Sequence, residues 1–220
     1  VLCANAPESK DNDFTWKDFQ TRNNSELVGI YGNFINRVVV LTNKYYDGSV
    51  PERGLLTDDD RQVISELKLL PVKIVKSIEA YRFREALMEV MNLARLGNKY
   101  LADEEPWKLV KTDEVRTKTI MNIALQIAAN LSVLSEPFMP FSSHKLACML
   151  GLEQLSWKDA GSDALLEDGS KIQSAQLLFR KIEDSEIEDQ LKKLETSKVE
   201  NQMANPQKEN ISFEEFCSID

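Results

Sequence analysis

Histidine is almost missing from this chain: His144 is the single one in 220 residues. That excludes two-His metal motifs, His-rich metal sites and the paired-His signatures of nucleotidyl-transfer enzymes. Only His144 is left to serve in a Ser/His or Cys/His pair. Glycine and proline are also scarce, at 8 and 7. Their scarcity argues against a β-rich fold full of tight turns and against a disordered linker protein, and no glycine-rich loop has the spacing to cradle a phosphate. The three cysteines, Cys3, Cys148 and Cys217, are an odd number with spacings of 145 and 69, which fits neither a zinc motif nor a disulfide framework. Their usage fits an intracellular, cytoplasmic protein. Cys148 sits among apolar neighbours in LACML, the setting of a buried free thiol. No apolar run approaches the ~18 residues of a membrane span. The opening VLCANAPESKDND has no basic stretch followed by an apolar one, so it does not read as a signal peptide, and without an initiator Met the chain reads as a piece of a longer protein.

What is present is ordinary for a globular domain: 42% apolar and 29% charged residues. The net charge is −9, and residues 183–220 account for most of it with eleven acids and four bases. The body is close to neutral. Indiscriminate nucleic-acid binding rides on net positive charge and is not expected. Recognition of a few exposed bases by stacking and hydrogen bonding needs no basic field.

Hydrophobic periodicity predicts helices almost throughout. Thr15 caps a short turn at 15–19. Asn23, Asn24 and Ser25 offer caps for a helix over 24–46 with an apolar stripe at 27, 31, 34, 38, 41 and 45, stopped by Asp47-Gly48. Thr57 and the acids Asp58, Asp59 and Asp60 open a helix that runs to about 80, with Pro71 as a kink and Val75 among its inward residues. Another follows from about Phe83 to Asp103, and Pro106 marks a new start. Residues 113–135 are apolar nearly all round, as expected of the central helix of a bundle. Ser142 or Ser143 caps a short helix to about 150, residues 151–180 wrap the bundle irregularly, and a polar helix spans 186–203, with Ile187, Leu191 and Leu194 as its thin apolar stripe. The expected fold is all-α: an antiparallel bundle of about five helices with a C-terminal helical appendage. The expected organisation is a connector at 1–13, the bundle at 14–182, a polar helix at 183–204, and a linker with the start of something new at 205–220.

Few residues suggest chemistry. The pairs Glu85/Glu89 and Glu104/Glu105 read as solvated carboxylates, and His144 beside Ser142 and Ser143 reads as the polar start of a helix. No catalytic or metal-ligating set emerges. Two features have two readings each. Asn33 and Arg37 stand one turn apart on one helix face, with Asn36 and Lys44 nearby: an ordinary solvent face, or a donor–acceptor amide and a flat fork of donors suited to unpaired base edges. Trp107, behind Pro106 at a helix boundary, is either a staple that packs the loop onto the bundle or an open platform for stacking a base.

Four stretches, FTWKDFQTRNNSELVGIYGNFINRVVVLTNKYYDGSVP, AYRFREALMEVMNLARLGNKYLADEEPWKLVKTD, LSVLSEPFMPFSSHKLACMLGL and LLFRKIED, resemble, in that order, the anticodon-binding region of the methionyl-tRNA synthetase family. The N-x-x-x-R of Asn33 and Arg37, followed by NKYYDG and then by E-P-W about 70 residues on, are its most telling motifs. The resemblance covers most of residues 1–182. It implies a class I aminoacyl-tRNA synthetase whose H-I-G-H and K-M-S-K-S motifs lie outside this chain. The segment itself would therefore bind tRNA-Met but be inactive alone, with no cofactor of its own. ATP, and zinc where the parent carries it, would belong to the missing catalytic part. By motif match, the resemblance implies that Trp107, supported by Pro106, stacks on a base of the CAU anticodon while Asn33 and Arg37 read base edges and backbone. It further implies that 1–13 follows the catalytic half, and that ISFEEFCSID begins an appended OB-fold domain through which the parent pairs as a homodimer. Two other readings stay open: the anticodon domain of a neighbouring synthetase (for Cys, Leu, Ile or Val), and a helical module that docks a partner protein through helix 186–203.

Overall fold

The computed structural model describes residues 2–8, 11–152 and 156–204. The linker and OB-fold start expected at 205–220 lie outside the described residues. The chain divides into two compact units, Val1–Lys181 and Ile182–Asp220.

The first unit is helical, and among the described residues its only β feature is an isolated antiparallel bridge between Ser49 and Lys171. After a 3-10 turn at Cys3–Asn5 comes one unbroken helical rod in three parts: α1 (Trp16–Arg22), a π-helical segment (Asn23–Gly32) and α2 (Asn33–Tyr46). Thr15 caps it, its hydroxyl accepting from the Asp18 amide. The break expected at Asn23–Ser25 is absent, because the backbone widens to i→i−5 bonding there instead of restarting; the Asn33 amide still donates to the Val28 carbonyl. The rod ends where Asp47 takes a left-handed φ of 50° and Gly48 one of 68°.

Thr57 and Asp60 close a reciprocal capping box at the start of α3 (Asp58–Glu79), which runs through Pro71 as one helix. Its stripe buries Val63, Ile64, Leu67, Leu70 and Ile74, whereas Val75 is 38% exposed, on the side that the 3.6-residue period turns outward once Leu70 and Ile74 are fixed inward. α4 (Phe83–Glu104), the short α5 (Pro106–Leu109), α6 (Glu114–Leu134) and α7 (Pro140–Met149) complete the bundle. With the rod counted once, that is the expected five long helices plus α5. Consecutive helices α3 and α4, and α6 and α7, pack on each other across short turns, and α6 also packs on α2, α3, α4 and α5. Every residue of α6 from Thr119 to Leu134 is buried, so it is the central helix.

Two expectations near α7, a helix start and a buried thiol, are corrected. Pro140 occupies its first turn, and Ser143 is buried inside it, donating from Oγ to the Ser132 carbonyl at 2.5 Å. Cys148 is exposed rather than buried: Leu146, Ala147 and Met149 take the inward positions and leave the thiol on the outer face, 3.6 Å from His144 Nε2.

Polar side chains of α6 hold the irregular segment that follows α7. Asn122, Gln126 and Asn130 recur every four residues on one face. Asn122 donates to the Pro51 carbonyl and Asp168, both at 2.8 Å. Gln126 accepts from the Leu166 amide and donates to its carbonyl. Asn130 accepts from the Gly161 amide and donates to the Ser162 carbonyl. Buried amides of this kind satisfy main-chain groups that have no sheet or helix to bond to.

The second unit contains α8 (Asp184–Ala204). Of the stripe expected there, Ile187 is buried, whereas Leu191 and Leu194 are 47% and 46% exposed.

Candidate anticodon-reading site

Two helices come unusually close where α2 begins. Gly97 of α4 has no side chain, and the Phe34 ring lies against its backbone; a Cβ there would run into the ring. This approach brings Asn98 to Asn33, whose Nδ2 donates to Asn98 Oδ1 at 3.2 Å. Asn98 in turn donates to the carbonyls of Ile30 and Ala94, at 2.9 and 3.1 Å, so it ties the π segment to α4. Asn33 keeps its own carbonyl oxygen free at the surface.

One turn on, the Arg37 guanidinium lies over the Trp107 ring, 5.0 Å from its centroid. That is a cation–π stack between residues 70 positions apart. Among the described residues, Arg37 makes no ion pair or hydrogen bond, so its donors remain available. Trp107 is presented by a tight corner. Glu105 takes a left-handed φ of 44°, ending α4 and leading into α5, and Pro106 is buried at the first position of α5. Leu109 packs against the core, but among the described residues Trp107 is not part of it. Trp107 is half-buried. Lys108 pairs with Glu105 at 2.7 Å, and Lys44 lies over the Tyr45 ring at 5.3 Å.

The corner is anchored from below. Asp60, fully buried, accepts from the Tyr100 hydroxyl at 2.6 Å and from both terminal nitrogens of Arg116, at 2.5 and 3.0 Å. Arg116 also pairs with Glu104 at 2.8 Å, one residue before Glu105. Burial by itself would raise the Asp60 carboxyl. Hydrogen bonds from Arg116, Tyr100 and the Thr57 amide outweigh it and hold the group below the usual carboxylate range. The start of α3, the end of α4 and the start of α6 are thereby clamped together beneath Trp107.

The structure thus brings Asn33, Arg37 and Trp107 to one surface, with Pro106 buried at the corner that presents Trp107. The sequence singled out all four but missed Asn98 and the Asp60 cluster. Asn98 carried one weak signal, a poor helix former beside the inward stripe of α4. Asp60 looked like the third of three capping acids, although its place three, four and seven residues before Val63, Ile64 and Leu67 puts it on their inward face. Of the remaining candidates, Glu85 pairs with Arg82, Glu104 with Arg116, and Ser143 donates to the Ser132 carbonyl. Among the described residues no group of His, Cys, Asp or Glu could hold a metal ion, and no helix is long and apolar enough to cross a membrane.

Residues 1–39 match the model of the class I tRNA synthetases of the methionine type, and residues 50–198 match that of the anticodon binding domain of methionyl tRNA ligase. The chain belongs to this methionyl-tRNA ligase family, as its anticodon-binding domain. It is 61% identical to the methionine–tRNA ligase of Christiangramia forsetii and 59% identical to that of Cytophaga hutchinsonii; each match covers 100% of this chain but 33% and 32% of those proteins. It therefore spans about a third of their length. The fold resembles that of the apo methionyl-tRNA synthetase of Mycobacterium tuberculosis, with a TM-score of 0.74 and 23% identity, over 83% of this chain and 38% of that one. Asn33 and Arg37 lie in the first matched stretch and Trp107 in the second.

Proposed function

We propose that Asn33, Arg37 and Trp107, with Pro106 in support of Trp107, form the surface that reads the CAU anticodon of tRNA-Met. The observation that carries this reading is the Arg37–Trp107 stack, with Asn33 held beside it by Asn98. An anticodon base stacks on the exposed part of the indole, while the planar fork of Arg37 and the free carbonyl of Asn33 meet base edges or phosphate. In the whole protein this domain selects the tRNA that a catalytic part charges with methionine, using ATP. Residues 14–182 form the reading bundle, 1–13 its connector and 183–204 a separate polar helix. We further propose that the whole protein is cytoplasmic and pairs as a homodimer through a further OB-fold domain, a reading that the family membership supports. Sedimentation of a full-length protein carrying this sequence tests the dimer.

The test of the reading is a titration of the chain with stem-loops that differ only in the anticodon. Preference for CAU is expected, and equal binding to all anticodons overturns it. A preference for the cysteine, leucine, isoleucine or valine anticodon would assign the surface to a neighbouring synthetase.

A further inference from the structure

Asn33 has a second neighbourhood, on the side away from Trp107. With 3.6 residues per turn, Arg37 stands about 40° round the helix from Asn33 in one direction and Asn36 about 60° in the other. On the Asn36 side lies a recess of about 200 Å³, lined by Val28, Gly32, Asn33, Asn36, Gln176 and Phe179 among others. Its walls are apolar. Phe179 is fixed edge-to-face on Tyr31, with ring centroids 5.6 Å apart at 88°, and stands 3.6 Å from where a Cβ of Gly32 would be. Its rim is made of carboxamides. Among the described residues, the side chains of Asn36 and Gln176 make no hydrogen bond, while the Gln176 main chain is fixed by its amide donating to Met149 Sδ at 3.3 Å.

No charged side chain lines this recess, which disfavours a phosphate or a metal ion as its occupant. Each carboxamide offers a donor and an acceptor side by side, the pattern that matches a nucleobase edge. The apolar walls suit the faces of a flat ring, and the volume suits one ring system rather than a whole nucleoside. Asn33 and Asn36 lie one turn apart, so two bases could be held on either side of Asn33 by one stretch of RNA.

We propose that this recess binds a second unpaired base of the anticodon loop, with Asn36 and Gln176 reading its edge. The proposal rests on the reading that the Arg37–Trp107 surface binds that loop. The experiment uses the full 220-residue chain, a CAU stem-loop, and three versions of that stem-loop in which one anticodon nucleotide is abasic. Asn36 and Gln176 are both exposed, so an Asn36→Ala/Gln176→Ala double variant should fold as the parent does, which circular dichroism checks. The double variant is expected to bind the intact stem-loop about tenfold more weakly. It should also lose, to within about twofold, the penalty for removing one particular base. Trp107→Ala should keep the penalty at that position. A double variant that binds as the parent does, with all three penalties intact, overturns the recess; a Trp107→Ala loss in the same series would leave the anticodon reading standing. If Trp107→Ala also changes nothing, or if the intact chain binds no stem-loop, both fall together.

Discussion

The guanidinium of Arg37 lies 5.0 Å above the indole of Trp107, joining α2 to the corner after α4. The stack covers part of one ring face and leaves the arginine's hydrogen-bond donors unused. An incoming base would find an aromatic surface and a fork of donors already set in position, so little ordering cost remains at binding.

Trp107→Ala should weaken binding of the CAU stem-loop by at least about 1 kcal/mol, the low end for base stacking. Its effect on the melting free energy should be smaller than that of Leu125→Ala, a core truncation in the range of ~2–5 kcal/mol. Arg37→Lys should not restore what Arg37→Ala loses, because the planar fork is gone. Isothermal titration with thermal melts measures both quantities. A Trp107→Ala chain that melts early yet binds RNA as before would make the ring a structural staple.

Asp60 makes stability depend on acid. Its folded-state carboxyl lies below the unfolded value, so the stability it contributes is complete above the unfolded pKa of about 3.9 and is lost as pH falls through the lower folded value. Asp163 acts in the same direction: burial would raise it, but Lys68 and Arg53 hold it low. Asp60→Asn should cost roughly 3–5 kcal/mol at neutral pH, as expected when a buried ion pair loses one partner, and should flatten the acid limb of the stability curve. Urea melts from pH 7 to pH 2 would show this; parallel parent and variant curves would count against it.

Gly97→Ala tests the close approach of α2 and α4. In an exposed helix interior, this change stabilises by roughly 0.5–1 kcal/mol. Here the added methyl meets the Phe34 ring, so the sign should reverse to a loss of about 1–3 kcal/mol, the usual range for overpacking. Stem-loop affinity should fall with it, because Asn33 and Asn98 would be pushed apart. A gain in melting temperature with unchanged binding would show that the helices can part without effect.

The chain alone should support no methionine-dependent pyrophosphate exchange. It contains neither H-I-G-H nor K-M-S-K-S, and its single histidine could not supply the first. Measurable exchange by the purified chain would refute the assignment of its role.

Much of this was legible in the sequence because helices announce themselves locally. Thr15, Thr57, Asp47-Gly48 and Pro106 mark their own boundaries, and the apolar girth of 113–135 identifies the central helix. The four candidate residues, Asn33, Arg37, Pro106 and Trp107, were visible as types and spacings. Their meeting was not, since it depends on Gly97 admitting Phe34, a fact about two helices at once. The π segment was hidden for a related reason: a widened turn keeps the same apolar residues but shifts their register, so Asn23–Ser25 looked like caps. Cys148 misled because an apolar neighbourhood in sequence need not be one in space.

The amides of Asn122, Gln126 and Asn130 grip residues 161–168 mainly through peptide groups, with Asp168 as the one side chain held. A peptide group is the same whatever residue carries it. Substitution along that stretch can therefore proceed with little mechanical consequence, except at Gly161, whose φ of 85° admits few alternatives, at the buried Leu166, at Asp168, held by Asn122, and at Asp163, held by Arg53 and Lys68. The three anchoring amides have no such latitude, because shortening or lengthening any of them moves the grip. Across related proteins, mutational drift should collect in the strap, and fixity in the helix that holds it.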